Sequence, residues 1–249
     1  MKTCRFIILL LAFFLLLLQG CQPEPPSNTA VSVLCDVSEK AFNDSALYKK
    51  DIAALAGLVA RNPLKTGDGG GCLRLSALNA LSQNTVHTAT LPVSDADVLG
   101  PNPYVRQDEV QQFEKEVRDG FDAFCRIYSK DADHSKIYQG LCNELTRLAS
   151  DPAEHRIMAV YSDFLENSAL FSLYPPDNIQ CLNDPVQFAD STLSRICPLP
   201  ALNGITIYLV AYRNEKNDDM VNQALRFWKV ILEHRGATVN IGADLNSML

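Results

Sequence analysis

Short apolar segments rich in β-branched residues alternate along the chain with longer segments of helical periodicity. The first, Ala30–Cys35, is a valine-rich run of the kind expected for a strand buried on both faces. Four segments carry apolar residues every three or four positions and predict helices: Ala46–Arg61, Arg106–Tyr128, Ser135–Leu148 and Asp218–His234. Strands separated by helices predict a mainly parallel sheet with helices on both faces.

The remaining strands complete this α/β pattern. Strands are predicted at His155–Ser162, Ile205–Tyr212 and Ala237–Gly242. Two further segments, Cys72–Asn79 and Thr85–Pro92, have the spacing of a β-hairpin, which would add one antiparallel strand at the sheet edge. The predicted fold class is therefore a doubly wound α/β sheet. Residues 175–201 contain five prolines and are predicted to form an irregular insertion.

The first twenty residues have the pattern of an export signal. Two basic residues precede Phe6–Leu18, an unbroken run of 13 apolar residues. This run is shorter than the roughly 20 residues that span a bilayer, and it suits a signal peptide. The string LLQGC at 17–21 resembles a bacterial lipobox, which implies cleavage before Cys21 and a lipid on its thiol. An ordinary secretory signal is the alternative.

This interpretation divides the chain into three parts. Residues 1–20 are the predicted signal peptide, residues 21–29 the lipidated cysteine and a proline-rich tether, and residues 30–249 the folded domain. The predicted location is the bacterial cell envelope, outside the cytoplasm and anchored to a membrane by the lipid.

The charge and the motif content narrow the functional classes. Without Lys2 and Arg5 the chain has 20 basic and 29 acidic residues, a formal charge of −9. No basic stripe is present, so nucleic acid and anionic lipid are poor candidate partners. The sequence also lacks the HExxH and Gly-x-Ser-x-Gly patterns of zinc hydrolases and α/β-hydrolases, and an enzyme is not indicated.

Six cysteines follow the signal peptide and the lipobox, and none forms a CxxC pair. Export would permit disulfides. Cys35, Cys125 and Cys142 occur in apolar segments and are predicted to be buried free thiols. Cys181 and Cys197 flank a loop-rich segment and are the predicted disulfide pair.

Acidic residues stand at the ends of two predicted parallel strands. Asp36 follows the first strand, and Asp163 follows the strand His155–Ser162. In open α/β sheets, ligands bind at the carboxyl ends of the strands. The two carboxylates are therefore candidates for a ligand site.

The chain resembles a von Willebrand factor A (vWA) domain over most of residues 30–243. The resemblance rests on Asp36-Val-Ser38, the hairpin, the stretch DHSKIYQGL at 133–141, and Ser162-Asp163. It implies vWA/Rossmann-like topology and a metal-ion-dependent adhesion site. In that site Asp36, Ser38, Ser135 and Asp163 would supply the ligands.

A hard dication such as Mg²⁺ or Mn²⁺ suits such a set of oxygen ligands. In the vWA pattern one coordination position is left for an acidic residue of a protein partner. Lys40 departs from the pattern, because it occupies the place of the second Ser in Asp-x-Ser-x-Ser and an ammonium group cannot ligate. Both a weak metal site and a metal-free site remain open.

Two side chains outside this set also receive predictions. Glu166 is predicted to cap the helical turn that follows it. On the last helix, Phe227, Val230 and Ile231 are predicted to pack against the sheet, with Trp228 partly exposed.

Taken together, these patterns predict a lipid-anchored module that binds an unidentified protein through a partial adhesion site. Two alternatives remain. The first is a degenerate, metal-free scaffold in an envelope assembly. The second is a hydrolase of phosphoesters, in which the strand-end acids and a cation activate water.

Overall fold

The computed structural model describes residues 28–37, 45–60, 69–78, 85–93, 102–128, 136–211 and 218–249. The predicted signal peptide, the predicted lipidation site Cys21, the predicted metal ligands Ser38 and Ser135, and Lys40 lie outside these ranges.

The core is a six-stranded sheet with the order β3-β2-β1-β4-β5-β6. Its strands are β1 (Thr29–Asp36), β2 (Gly71–Leu78), β3 (Thr85–Leu91), β4 (His155–Ser162), β5 (Ile205–Ala211) and β6 (Thr238–Gly242). The helices are α1 (Ser45–Ala60), α2 (Pro103–Tyr128), α3 (Ile137–Ala149), α4 (Ile179–Asn183), α5 (Pro185–Ser191) and α6 (Asp218–His234). Short 3₁₀ turns follow at Leu193–Arg195 and Leu245–Ser247.

All neighbouring strands are parallel except β2 and β3, which form the antiparallel hairpin at the edge. The predicted fold class is therefore confirmed: an open, mainly parallel α/β sheet with one antiparallel edge strand. The predicted bounds of β4 and α6 match the observed ones, and most of the others differ by one or two residues.

The alternation of side chains along β1 determines what each face of the sheet packs against. Ala30 and Leu34 belong to one apolar core with α3 and α6, whereas Val31, Val33 and Cys35 belong to the other with α1 and α2. Every residue of β1 is buried, as the valine-rich run predicted. By this alternation, the Asp36 side chain lies on the α3 face.

The segment 175–201 is more regular than predicted, because it contains α4, α5 and a 3₁₀ turn. Asp184 caps α5 by accepting a hydrogen bond from the backbone N–H of Gln187 at 3.0 Å, and Pro185 occupies the first helical position. The ring of Phe188 then packs against Phe227 of α6. This insertion therefore covers part of α6 that would otherwise face solvent.

The packing of the insertion against α6 contradicts part of the prediction for which side chains of this helix are buried. Trp228 is 0% exposed, and its ring lies against Phe171 and Tyr138, while Val230 is 41% exposed. Phe227 is buried as predicted. Because α6 packs between the sheet and the insertion, its buried surface is wider than one face of the helix.

The predicted disulfide between Cys181 and Cys197 is wrong. Cys197 is bonded to Cys142 of α3, and Cys181 is a buried free thiol whose Sγ lies 3.1 Å from the carbonyl oxygen of Asn178. The buried face of α3 points toward the insertion, so Cys142 meets Cys197 across 55 residues of chain. Cys35 is a buried free thiol, as predicted, and Cys125 is free but only half-buried. The predicted free thiol at Cys142 is wrong, because that residue forms the disulfide.

Within the ranges that the structure describes, no helix is both long enough and apolar enough to span a membrane.

Candidate functional site

The carboxyl ends of β1 and β4 lie side by side at the centre of the sheet. The chain leaves β1 for β2 on one side, and leaves β4 for β5 on the other, so the crossover direction reverses between them. Such a reversal opens a crevice at the carboxyl ends of the two strands, which is where open α/β sheets bind ligands. Asp36 ends β1, and Ser162-Asp163 ends β4.

Asp36 and Ser162 are joined directly. Cys35 pairs with Tyr161 in the parallel ladder, which brings the next residues of both strands level with each other. The Ser162 hydroxyl donates a hydrogen bond to Asp36 Oδ2 at 2.7 Å, and both side chains are fully buried. This bond fixes the orientation of the Asp36 carboxylate from the neighbouring strand.

The chain leaves β4 with a backbone conformation that residues other than glycine rarely adopt. Phe164 has a φ of 62°, which is uncommon for a bulky residue and marks a local cost in free energy. Its N–H donates to Ser162 Oγ at 2.9 Å, and its carbonyl accepts from Trp228 Nε1 at 2.9 Å. The next N–H, of Leu165, donates to Asp163 Oδ1 at 2.9 Å. The turn is thus held at several points.

Glu166 connects this turn to α3. Its carboxylate is fully buried, and Oε2 accepts a hydrogen bond from the backbone N–H of Tyr138, the second residue of α3, at 2.9 Å. Lys136, at the N-cap position of α3, makes no side-chain capping bond. Glu166 therefore satisfies a helix N-terminus with a carboxylate, a favourable position for negative charge. The prediction that it caps the following turn was wrong.

Burial raises the pKa of Glu166 to about 7. Hydrogen bonds from the Ser168 side chain and from the backbone at Tyr138 and Ile137 oppose this rise, and the nearby Asp36 adds to it. The negative charge of Asp36 therefore contributes to the raised pKa of Glu166, and both carboxylates lie at the same end of the sheet.

The structure places two of the four predicted metal ligands at this end. Asp36 is buried, while Asp163 is partly exposed and directly follows β4. The other two predicted ligands, Ser38 and Ser135, lie outside the described residues, two positions after β1 and two positions before α3. Sequence reasoning missed the contributions of Ser162, Glu166 and Trp228.

The residues present fit a hard dication only in part. Carboxylate oxygens at Asp36 and Asp163 are of the type that Mg²⁺ prefers. Over the described ranges, however, no group of three or more His, Cys, Asp or Glu side chains is placed to hold a metal. A cation at this end would therefore depend on the hydroxyls of Ser38 and Ser135 and on water.

No protein-family model and no curated protein matches the sequence. Solved structures do match. The human COPII-coat protein Sec24C is similar with a TM-score of 0.50 and 14% identity, over 88% of this chain and 30% of that chain. The minor pilin PilB of Streptococcus sanguinis gives 0.48 and 11%, over 92% and 60%. BatB of Bacteroides thetaiotaomicron gives 0.35 and 11%, over 89% and 93%.

The comparison with Sec24C bears on the fold alone, because its identity is low and this chain spans 30% of its length. Together with the strand order and the antiparallel edge strand, it supports a vWA-like fold for this chain.

Proposed function

We propose that this protein is a membrane-tethered module that binds a protein partner at the carboxyl end of its sheet. One observation carries the proposal: Asp36, the turn at Asp163 and the N-terminus of α3 lie together at the carboxyl ends of β1 and β4. The strained turn after β4 is held by three hydrogen bonds, as expected for a binding surface organised before its partner arrives.

The chemistry of this end favours a positively charged or cation-bridged contact. Asp36 is buried next to a second buried carboxylate, Glu166, and Asp163 reaches the surface. With the hydroxyls of Ser38 and Ser135, these carboxylates would hold Mg²⁺ or Mn²⁺, which offers an attachment point for an acidic side chain of the partner. Lys40 is expected to weaken that cation by its like charge.

The disulfide supports the proposed location. Disulfides persist in oxidising compartments and are rare in the cytosol. A Cys142–Cys197 bond therefore fits a protein exported by the segment at residues 1–20 and anchored through Cys21 in the bacterial cell envelope.

A metal-free scaffold is the second candidate, and one observation favours it. Asp36 is fully buried, and its carboxylate already accepts a hydrogen bond from Ser162. Such an aspartate can serve to hold β1 and β4 together without any cation. In that case the partner would dock on the same surface in a way that is independent of Mg²⁺.

Site-specific photocrosslinking in the native envelope tests which end binds the partner. A photoreactive amino acid is placed at Asn167, an exposed residue next to Glu166, or at Glu154, an exposed residue just before β4 at the other end. We expect a discrete protein adduct from position 167 and none from position 154. An adduct from position 154 alone would contradict the proposal, and persistence of the 167 adduct in EDTA would favour the metal-free scaffold.

A separate test addresses the tether. Cells expressing the protein are fed an alkyne-bearing fatty acid, and the purified chain is tested for the label. We expect labelling and membrane fractionation that are both lost in Cys21→Ser. If the label persists in Cys21→Ser, or is absent from the unmodified protein, the lipid anchor is wrong.

A further inference from the structure

At the end of the sheet where the parallel strands begin, three large apolar side chains are exposed. Tyr104 is 78% exposed, Val105 54% and Val93 39%. Tyr104 and Val105 lie in the first turn of α2, and Val93 follows β3. We call these three residues the amino-end patch.

The side chain of Arg106 connects the two parts of the amino-end patch, which are the first turn of α2 and the segment after β3. This side chain is buried, and its guanidinium donates to the carbonyl oxygens of Pro92, at 2.8 Å, and Gly69. It also pairs with Glu109 at 2.9 Å. The start of α2, the residue that follows β3 and the segment just before β2 are therefore joined through one side chain.

The tether leaves the domain at this same end. Asn28, the first described residue, accepts a hydrogen bond from the backbone N–H of Gly70 at 3.3 Å, and its carbonyl accepts from His155 N–H at 3.1 Å. Gly70 is adjacent to Gly69, the acceptor of Arg106. The exit point of the tether and the amino-end patch are thus parts of one hydrogen-bonded region.

The length of the tether limits how far this end can move from a membrane. Cys21 and Asn28 are seven positions apart, a reach of about 25 Å when fully extended. The eight residues of β1 then span about 26 Å from this end to the carboxyl end. An anchor at Cys21 therefore keeps the amino-end patch within reach of the bilayer.

The charges at this end suit a neutral lipid surface. The chain is acidic overall, yet Asp151 pairs with Arg74 at 3.2 Å and Glu109 pairs with Arg106. Asp108 and Glu154 are exposed nearby and would be repelled by anionic lipid. Tyrosine is enriched at membrane interfaces because it presents an apolar ring with a polar end.

From these observations we infer that the amino-end patch contacts the zwitterionic interface of the bilayer, so that the carboxyl end faces away from the membrane. The inference rests on the proposed lipid anchor and is independent of the cation site. It gives the anchored module one preferred orientation, with its candidate binding end presented to partners.

Tryptophan fluorescence provides the test. The lipidated full chain is purified from membranes and reconstituted into phosphatidylcholine vesicles, with or without lipids brominated near the headgroup. Trp228 is 0% exposed and supplies a constant background. Tyr104→Trp places a probe in the patch. Ile196→Trp is the matched control, since Ile196 is 42% exposed and adjoins Cys197, whose carbonyl accepts from Tyr138 near the start of α3.

We expect brominated lipid to quench Tyr104→Trp at least twofold more than Ile196→Trp, and the control to match the unmodified protein. Replacing part of the phosphatidylcholine with anionic lipid should reduce this quenching. Equal quenching of the two variants, or none in either while both float with the vesicles, would overturn the inference. A failure to float would instead contradict the lipid anchor. If another protein in native membranes covers the Tyr104→Trp probe and protects it from quenching, the patch contacts a protein partner. That result would also overturn the inference.

Discussion

Carboxylates have different hydrogen-bond partners at the two ends of the sheet. At the carboxyl end, Asp36 accepts from the Ser162 hydroxyl, and Glu166 accepts from the backbone N–H of Tyr138. At the amino end, Asp151 instead pairs with an arginine, Arg74. Neutral hydroxyl and amide donors offset the charge of a buried carboxylate less than an arginine does. Burial raises the pKa of Glu166 despite these donors, so a buried carboxylate at the carboxyl end gains from an added proton or cation.

The largest expected effect concerns the disulfide that joins α3 to the insertion. Replacing both Cys142 and Cys197 by Ser removes a crosslink across 55 residues and should lower the free energy of unfolding by about 2–4 kcal/mol. Chemical denaturation measures this loss. Cys72→Ser, a half-buried free thiol near the amino end, is the control and should change stability by less than about 1 kcal/mol. Equal losses in the two variants would mean that the disulfide does not stabilise the fold.

Glu166→Gln should remove a pH dependence of stability. The folded pKa of about 7 lies above the ordinary value of 4.5, so the folded state binds a proton more tightly than the unfolded state. This group therefore makes the protein less stable as the pH rises from about 4.5 through 7, by roughly 2–3 kcal/mol. Denaturation at pH 5 and pH 8 should show a smaller difference in Glu166→Gln, whose amide oxygen still accepts from Tyr138. If the free energy of unfolding changes by the same amount between pH 5 and pH 8 in Glu166→Gln and in the unmodified protein, the pH dependence does not come from the burial of Glu166.

Trp228→Phe tests the strained turn. The substitution keeps an aromatic ring but removes the donor to the Phe164 carbonyl, and should cost about 1–2 kcal/mol. Amide hydrogen exchange should accelerate at Phe164 and Leu165 and remain unchanged at the hairpin, which lies at the far edge of the sheet. If exchange accelerates evenly over the whole chain, the hydrogen bond has no local role.

The smallest effect is expected at the amino-end patch. Tyr104→Ser alters a side chain that is 78% exposed, so the free energy of unfolding should change by less than about 0.5 kcal/mol. A loss much greater than this in denaturation experiments would show that Tyr104 packs within the domain and is not free to contact lipid.

The alternation of apolar strands and helices was enough to predict the fold, because each strand and helix carries its own periodicity. It also placed Asp36 and Asp163 at strand ends, since strand ends follow from the local pattern. The role of Glu166 was not predictable, because its partner Tyr138 is 28 residues away and meets it only through packing. The same holds for Cys142, whose partner depends on where the insertion folds.

Thermal melting with Mg²⁺ or EDTA tests the central proposal, that Asp36, Ser38, Ser135 and Asp163 hold a cation at the carboxyl end. Ligand binding raises the stability of the folded state by RT ln(1 + [L]/Kd). We predict a higher melting temperature with Mg²⁺, a larger rise in Lys40→Ser, no rise in Asp163→Asn, and an unchanged rise in Asp151→Asn at the amino end. No response to Mg²⁺ in any of these proteins, Lys40→Ser included, would contradict the claim.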